Sequence, residues 1–203
     1  ALLTALALHT PQAGTHAREK LLTFSGFPLT TRISGKRLGV AGLGHIGREI
    51  ARRGEGFKMQ IGYTNLSACD VPYQRFENLK ELAAWSDFLV LAMPGGASTH
   101  HIANREVLEA LGPQGFLINI GRGELVDTDQ LIEALEKKNI AGAALDVFEG
   151  EPAIDQRLAQ FDNLLITPHI ASGTFEARES TGLQALENIQ AFLSTGTAPN
   201  RVV

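Results

Sequence analysis

Three ionisable residues each stand shortly beyond an apolar segment of the sequence, and their types suit the reduction of a 2-keto acid. They are Arg122, Glu151 and His169. An arginine offers a planar, permanently charged fork to a carboxylate, and a histidine that titrates near neutrality can protonate a carbonyl oxygen as hydride arrives. A neighbouring carboxylate raises the pKa of a histidine and orients its ring. We therefore expect Arg122 to bind substrate, His169 to transfer the proton and Glu151 to tune His169.

Each of these residues, taken singly, also has an ordinary structural explanation. Arg122 would be a surface arginine in a glycine turn, Glu151 one more exposed acid, and His169 a loop histidine held behind Pro168. Their combination favours a site, because ligands of open α/β sheets bind beyond the carboxyl ends of the strands.

A glycine-rich turn earlier in the chain indicates that a dinucleotide binds near these residues. The segment Gly42–Gly47 reads GLGHIG and matches the pattern G-x-G-x-x-G. It follows an apolar segment and opens a helical pattern, which is the context that gives the motif its meaning. One glycine permits the tight turn, another lets backbone N–H groups approach the pyrophosphate, and the third allows close helix–strand packing. The positive end of the helix then faces the anion.

The residues after the second apolar segment bear on the choice between NAD and NADP. An acidic side chain about 20 residues after the first glycine commonly binds the ribose 2′-OH of NAD. Here the segment Tyr63–Ser67 reads YTNLS, and no acid precedes Asp70. Thr64, Asn65 and Ser67 can donate hydrogen bonds to a 2′-phosphate, although no Lys or Arg follows at once. The pattern favours NADP and leaves NAD open.

Apolar segments alternate with helical patterns and predict the elements that position these residues. Most of the apolar segments are uninterrupted, which is typical of strands covered on both faces of a parallel sheet. We predict strands at residues 38–41, 59–63, 88–92, 116–120, 141–145 and 164–166. Helical patterns span residues 46–53, 79–85, 105–110 and 129–137, and a closing helix spans 174–193. The alternation predicts a doubly wound α/β sheet, the Rossmann fold.

The domain organisation follows from the same pattern. Residues 1–9 read as the end of a helix and residues 11–31 largely as a connection, so we assign residues 1–34 to an interdomain helix end and connection. Residues 35–173 form the dinucleotide-binding domain, and residues 174–203 a C-terminal helix and tail. Asp127 or Thr128 can cap the helix over 129–137. Leu183, Leu186, Ile189 and Phe192 recur at a spacing of three along the closing helix.

Bulk composition excludes several classes of protein. The net charge of −4 and the interspersed charges give no basic surface for nucleic acid or anionic membrane. The apolar start, residues 1–8, is far shorter than the roughly 20 residues that span a bilayer and lacks a basic leader region. The one cysteine, Cys69, cannot form an internal disulfide, which fits a reducing compartment.

Two adjacent histidines, His100 and His101, are candidate metal ligands. On a helix their side chains would point to different faces, and no cysteine or acid stands nearby at ligand spacing. We therefore expect no metal site in this chain.

Four segments, in order, resemble the D-isomer-specific 2-hydroxyacid dehydrogenase family. They are Gly42–Gly47, residues 118–127 (INIGRGELVD), residues 142–152 (GAALDVFEGEP) and residues 167–173 (TPHIASG). The resemblance covers essentially the whole chain, and its nearest branch is that of the NADP-preferring glyoxylate and hydroxypyruvate reductases. It implies hydride transfer between NAD(P)H and a small 2-keto or D-2-hydroxy acid. Arg122, Glu151 and His169 take the family's catalytic positions.

The resemblance also implies which residues contact the cofactor. Asp146 takes the position that holds the nicotinamide carboxamide, Leu43 to Ile46 contact the pyrophosphate, and Thr64 to Ser67 face the adenosine ribose. The cofactor-binding set is Gly42, Leu43, Gly44, His45, Ile46, Gly47, Thr64, Asn65, Ser67, Met93, Pro94, Thr99, Ile120, Gly121, Asp146 and Ser172.

The sequence departs from the family pattern in three ways. Leu66 stands where the reductase branch usually has an arginine, which weakens the argument for NADP. The loop Met93–Gly96 is richer in glycine than the usual loop over the cofactor. The N-terminal substrate domain that family members carry before the Rossmann core is largely absent, so we expect a fragment, with the closing helix returning toward that domain.

The resemblance further implies a homodimer, with the helix end at residues 1–8 near the interface, and we expect a cytoplasmic protein. Two alternatives to the enzyme stay open at this point. One is a cofactor-binding interaction module of the kind found among transcriptional corepressors that resemble this family. The other is an isolated cofactor domain without turnover.

Overall fold

The computed structural model describes residues 1–20 and 26–201, which divide into two compact units. The first unit comprises Ala1–Thr167, and the second begins at Pro168. The first unit contains the whole β-sheet, so it carries the glycine turn and Arg122.

Seven parallel strands form one sheet in the order β3-β2-β1-β4-β5-β6-β7. They are β1 (Arg37–Ala41), β2 (Gln60–Thr64), β3 (Gln74–Arg75), β4 (Phe88–Leu91), β5 (Phe116–Asn119), β6 (Gly142–Leu145) and β7 (Leu164–Ile166). The chain runs outward from β1 to β3, returns to β4 beside β1, and then runs outward in the other direction. This arrangement confirms the doubly wound parallel sheet, and the reversal of order between β1 and β4 is where such sheets bind ligands.

Among the described residues, six α-helices belong to the first unit and one to the second. They are α1 (Leu2–Ala7), α2 (Thr10–Glu19), α3 (His45–Gly56), α4 (Leu79–Trp85), α5 (Arg105–Leu111), α6 (Thr128–Glu136) and, in the second unit, α7 (Phe175–Thr195). Side chains of Asn78, Asn104 and Asp127 cap α4, α5 and α6 by accepting hydrogen bonds from backbone N–H groups of the first turn. Of the two residues expected to cap α6, Asp127 and Thr128, the cap is Asp127.

The central strands of the sheet are covered on both faces, which explains why they are largely apolar. Successive residues of β4 go to opposite faces: Leu89 and Leu91 pack in the cluster that also holds α4, α5 and α6, whereas Phe88 and Val90 pack with α1 and α3. Phe88 stacks on Phe116 of the neighbouring strand with ring centroids 5.1 Å apart.

Two elements were not predicted from the sequence. Residues 11–31 were expected to be largely a connection, but α2 occupies Thr10–Glu19, with Pro11 in its first turn, where a proline costs no intrahelical hydrogen bond. Residues 21–25 of that predicted connection lie outside the described residues. The short strand β3 was missed because its two residues are exposed at the sheet edge and carry no apolar signal.

The second unit consists of a turn followed by α7. Thr174 caps α7 through its hydroxyl, and Gly196 ends it in the left-handed conformation. The apolar stripe predicted along this helix remains largely uncovered: Leu183, Leu186, Ile189 and Phe192 are 56–60% exposed. Within residues 1–20 and 26–201, no helix is both long and apolar enough to cross a membrane.

Candidate functional site

The carboxyl ends of the central strands lie side by side along one edge of the sheet, perpendicular to the strands. In the ladder, Ala41 of β1 pairs with Thr64 of β2 and with Leu91 of β4, and Leu91 pairs in turn with Asn119 of β5. Asn119 pairs with Leu145 of β6. Every sequence-predicted site residue of the first unit follows one of these strand ends, so the sheet brings their loops to a common edge.

The glycines of the turn between β1 and α3 have different structural roles. Gly42 has φ of +92°, and a Cβ there would lie 2.7 Å from the backbone nitrogen of Met93. Gly47 lies in the first turn of α3, and a Cβ there would lie 2.1 Å from the carbonyl oxygen of Gly42. Gly42 thus permits the tight turn, and Gly47 permits α3 to pack closely against it.

Gly44, the middle glycine, faces open space. A Cβ built on Gly44 meets no described atom within 4 Å. Among the described residues, no side chain caps α3 at this position, in contrast to the capped helices α4, α5 and α6. The first-turn N–H groups of α3 are consequently available to an anion, and the helix dipole favours one there.

The three intervening residues of this turn differ in exposure. His45 is exposed and Ile46 is 63% exposed, so both side chains can contact a ligand. Leu43 is only 2% exposed, so its side chain belongs to the core and any ligand contact must come from its backbone.

The segment after β2 lies beside the glycine turn. The N–H of Gly42 donates to the carbonyl oxygen of Thr64 over 3.0 Å. Beyond it, the Asn65 amide donates to the carbonyl oxygen of Ser67 over 3.3 Å, and Leu66 is fully exposed. The Tyr63 hydroxyl accepts from the N–H of Cys69 over 3.0 Å, which anchors the far end of the segment. Thr64 is buried at the end of β2, so the accessible residues of this segment are Asn65, Leu66 and Ser67.

The loop after β4 carries Met93, Pro94 and Thr99. The Thr99 hydroxyl bonds the carbonyl oxygens of Pro94 at 3.1 Å and Gly96 at 3.2 Å, so Thr99 folds the loop onto itself. Pro94 is exposed, and Met93 is half-buried against the core.

The Arg122 turn after β5 is held by Asn119, a residue that the sequence reading treated as part of an apolar strand. The buried Asn119 amide donates to the carbonyl oxygen of Arg122 over 2.8 Å, and its side-chain oxygen accepts from the N–H of Gly121 over 3.1 Å. Ile120 is half-buried and Gly121 is buried. The exposed guanidinium of Arg122 donates from Nη1 to the carbonyl oxygen of Gly121 over 2.7 Å.

Two close approaches join the Arg122 turn to its neighbours. A Cβ on Gly95 would lie 3.1 Å from the Arg122 side chain, so the extra glycine of the β4 loop lies directly against Arg122. A Cβ on Gly123 would lie 1.9 Å from the backbone of Phe148, in the loop after β6. The loops after β4, β5 and β6 are therefore in contact, and at Gly123 only a glycine fits because a Cβ would meet backbone atoms.

The loop after β6 contains Asp146 and Glu151. Asp146 is 2% exposed, and its Oδ1 accepts a hydrogen bond from the Thr167 hydroxyl over 2.6 Å. Glu151 is exposed, and its Oε1 accepts from the N–H of Phe148 over 2.7 Å, which folds the loop back on itself. The peptide bond between Glu151 and Pro152 is cis. Asp146 and Glu151 thus have fixed positions in the same unit as Arg122.

His169 and Ser172 belong to the second unit. Both are exposed, and His169 has φ of +52°, in the left-handed region. The N–H of Gly173 donates to the carbonyl oxygen of Ile170 over 2.8 Å, so the segment Pro168–Gly173 forms a turn before α7.

The two adjacent histidines are arranged differently from the sequence expectation. They lie in a turn instead of a helix, with His101 at φ of +51°, and their rings are tilted by 31° with centroids 3.9 Å apart. An acid is also present: Nε2 of His101 lies 2.6 Å from Oε1 of Glu149. The expectation that the side chains diverge and that no acid is near was wrong, because it assumed helical spacing and considered only acids close in sequence.

The donors at this edge fit a dinucleotide. The open space at Gly44, the uncapped first turn of α3 and the left-handed Gly42 form a cradle for a pyrophosphate. The polar side chains of Asn65 and Ser67 follow β2 beside this cradle, and the loops after β4 and β5 lie at the same end of the sheet as Arg122. Residues present in this chain are thus suited to hold NAD or NADP.

Comparisons of sequence and of structure with known proteins identify the same family. The family model described as "D-isomer specific 2-hydroxyacid dehydrogenase, NAD binding domain" matches residues 1–171. The chain is 41% identical to a hydroxyphenylpyruvate reductase of Plectranthus scutellarioides over 95% of its length, and 44% identical to a glyoxylate/hydroxypyruvate reductase of Arabidopsis thaliana over 83%. The solved structure of an NADPH-dependent glyoxylate/hydroxypyruvate reductase of Sinorhizobium meliloti, in complex with NADP and malonate, superposes with a TM-score of 0.94 at 38% identity and covers 100% of the chain.

These known proteins are longer than the chain. It spans 62% of the Plectranthus protein, 54% of the Arabidopsis protein and 64% of the Sinorhizobium structure.

Proposed function

Because the chain belongs to the D-isomer specific 2-hydroxyacid dehydrogenase family, we propose that its protein transfers hydride between NAD(P)H and a small 2-keto acid of the glyoxylate or hydroxypyruvate type. One observation carries the proposal: the uncapped cradle at Gly44 and the Arg122 turn stand at the same edge of one sheet. The relatives named above are reductases, which favours an enzyme over an interaction module that binds the cofactor without catalysis.

The cofactor occupies the edge from the glycine turn to the β6 loop in this proposal. A bound nicotinamide supplies or accepts the hydride. Backbone N–H groups at Gly44 and in the first turn of α3 bind the pyrophosphate, and the buried Asp146 orients the carboxamide. Met93, Pro94, Thr99, Ile120, Gly121 and Ser172 complete the contact set.

The substrate is bound and protonated by three side chains. Arg122 pairs with the substrate carboxylate and stabilises charge that develops on the carbonyl oxygen, since guanidinium stays protonated and offers two parallel donors. His169 gives its proton to that oxygen during reduction and takes it back during oxidation. Glu151 acts on His169 as the carboxylate that favours the protonated ring. The roles of Glu151 and His169 rest on the family motifs, because the two residues belong to separate units.

NADP is the proposed preferred cofactor. The segment from Thr64 to Ser67 offers hydroxyl and amide donors to a 2′-phosphate and lacks a carboxylate that would repel it. The NADP complex of the Sinorhizobium relative supports this choice. Leu66 provides no positive charge, so we propose that the preference over NAD is modest.

The proposal extends to the assembly of the protein and its location. We propose a cytoplasmic homodimer whose substrate-binding part joins the Rossmann unit, with the exposed apolar stripe of α7 covered there. Leu6 and Ala7 of α1 are buried against the sheet within the first unit, whereas Leu8 is 44% exposed, so Leu8 marks the part of this helix end that is free to contact another chain. Light scattering coupled to size exclusion measures the number of chains.

The direct test follows NADPH oxidation by the full-length protein with glyoxylate, hydroxypyruvate and pyruvate. We expect turnover with glyoxylate or hydroxypyruvate and weaker turnover with pyruvate. Cofactor binding without turnover on any of the three would refute the proposed reaction while leaving the dinucleotide cradle intact.

A further inference from the structure

A cluster of metal-ligand side chains lies outside the contacts used above. His100 and His101 belong to the turn before α5, and Glu149 belongs to the loop after β6. One nitrogen from each histidine and one carboxylate oxygen of Glu149 all lie within 4.8 Å of one another. We infer that these three side chains form a binding site for a divalent transition-metal ion of the Zn²⁺ class.

The backbone fixes the position of both histidines. His101 takes the left-handed conformation, and its N–H donates to the carbonyl oxygen of Glu124 over 2.8 Å. This turn directs the two rings to the same side, where their centroids are 3.9 Å apart at an angle of 31°. Glu149 approaches from a different loop, with its Oε1 2.6 Å from Nε2 of His101. Two segments distant in sequence therefore supply the ligands.

The ligand chemistry selects a class of ion. Two imidazoles and one carboxylate are borderline ligands that suit Zn²⁺, Co²⁺, Ni²⁺ and Cu²⁺, whereas Mg²⁺ and Ca²⁺ prefer a shell of oxygens. Bond lengths of about 2.0–2.2 Å place the ligand atoms of a tetrahedral site roughly 3.4 Å apart. The ligand atoms lie within 4.8 Å of one another, so they must move closer together when an ion binds. His100 is exposed, so the fourth position is open to water.

A second carboxylate supports the central ligand. Nδ1 of His101 lies 3.5 Å from Oδ2 of Asp127. Asp127 is held in place because it caps α6, accepting from the N–H of Gln130 over 3.0 Å. A carboxylate on the far ring nitrogen of a ligating histidine fixes the tautomer that offers the other nitrogen to the metal. In the metal-free chain the Nε2–H of His101 donates to Oε1 of Glu149, so an ion bound between these two atoms displaces that proton while Asp127 faces Nδ1.

An ion at this site would connect two loops of the proposed active site. The histidines follow directly on Thr99, and Glu149 stands two residues before Glu151. Occupancy would therefore stiffen the loop over the cofactor against the loop that carries Glu151. It would also stabilise the folded chain, since an ion that binds only the native state shifts the unfolding equilibrium.

The test titrates Zn²⁺ into the untagged, chelator-treated protein by isothermal calorimetry. We expect saturable binding of one ion per chain. His100→Gln should weaken it by at least about tenfold, as removal of a ligand does, and Asp127→Asn by about tenfold to a hundredfold through loss of the carboxylate beside Nδ1 of His101. His16→Gln, on α2, is the matched control and should bind as the unmodified protein does.

A second readout keeps the result independent of folding. His100→Gln leaves the His101–Glu149 hydrogen bond intact, so its thermal midpoint without metal should equal that of the unmodified protein. Added Zn²⁺ should raise the midpoint of the unmodified protein and not that of the variant, and Co²⁺ should give visible absorption bands only with the unmodified protein. The inference is overturned by failure to bind one ion per chain, or by equal binding in His100→Gln.

Discussion

The side-chain amide of Asn119 donates to the carbonyl oxygen of Arg122 across a distance of 2.8 Å and so fixes the turn that presents the guanidinium. Asn119 is fully buried at the end of β5, while Arg122 is exposed at the edge of the sheet. A buried polar group in a strand otherwise composed of Phe, Leu and Ile is thus linked directly to the proposed substrate-binding residue.

Replacing Asn119 should impair both the fold and the handling of substrate. Asn119→Ala leaves the buried N–H of Gly121 and the carbonyl of Arg122 without this partner, which costs about 1–3 kcal/mol of the free energy of unfolding. Because Arg122 is then held less firmly, we expect KM for the keto acid to rise more than kcat falls. Asn78→Ala, which removes the cap of α4 at a similar cost, is the control and should not change KM. Equal KM values in the two variants would remove Asn119 from this role.

The glycine turn allows stability and cofactor binding to be separated. In Gly47→Ala the new Cβ meets the carbonyl oxygen of Gly42 at 2.1 Å, so α3 must shift, and we expect a loss of about 1–3 kcal/mol with weaker cofactor binding. In Gly44→Ala the Cβ enters open space. That variant should keep its thermal midpoint and still bind NADPH more weakly, because the methyl group lies where the pyrophosphate approaches. If NADPH binds Gly44→Ala as tightly as the unmodified chain, the cradle is misplaced.

Leu66 tests the cofactor preference. Its side chain is fully exposed at the end of β2, next to the donors proposed for the 2′-phosphate. Leu66→Arg adds a charge-assisted hydrogen bond there, and we expect NADPH to bind roughly tenfold more tightly, which corresponds to about 1.4 kcal/mol. NADH affinity should stay unchanged, and the uncharged Leu66→Gln should alter neither constant much. Parallel titrations of NADPH and NADH give both dissociation constants, and a matching gain for NADH would show that residue 66 does not face the 2′-phosphate.

An acid at the amino end of the central strands makes the free energy of unfolding depend on pH. Asp87 stands just before β4, and its Oδ2 accepts from the backbone N–H of Arg37 over 2.8 Å, while Lys36 lies 3.6 Å from Oδ1. Partial burial opposes ionisation, but the hydrogen bonds from Arg37 and the charges of Arg37 and Lys36 prevail and lower the pKa below the ordinary value of 3.8. A carboxyl group whose pKa is lower in the folded state stabilises the fold above its unfolded pKa, and this contribution is lost as the pH falls through the folded value.

Asp87→Asn should therefore lower the free energy of unfolding at neutral pH, and its difference from the unmodified chain should shrink below about pH 3.8. Urea unfolding at a series of pH values measures the difference. Asp70→Asn, at an exposed loop position, is the control. A difference that is constant down to the acid transition would mean that the Asp87 contacts contribute nothing through ionisation.

Much of the fold could be predicted from the sequence because the central strands are covered on both faces. Their uninterrupted apolar segments mark β1, β2, β4, β5, β6 and β7 to within one residue at either end. Helix α2 was not predicted because Pro11 and Gly14 are residues that often break helices. A proline in the first turn is nevertheless compatible with a helix. The exposed edge strand β3 has no apolar signal at all.

The site was predictable where chemistry requires particular residue types and less so where it depends on contacts across the sequence. The glycines of the cradle follow a known spacing. A side chain would clash at Gly42 and Gly47, whereas Gly44 faces open space. The partnership of Asn119 with Arg122 spans only three residues, yet Asn119 was taken as part of a strand because its neighbours are apolar. Glu149 is 48 residues from His101, so no local pattern could reveal their contact.

The central claim is that a keto acid is reduced by hydride from the cofactor and a proton from His169. The most direct measurement compares kcat and the dissociation constant of NADPH in the full-length protein and in His169→Ala. General acid catalysis contributes about 10²–10⁴-fold, so kcat should fall by that order while NADPH affinity stays the same. An unaltered kcat in His169→Ala would contradict the account.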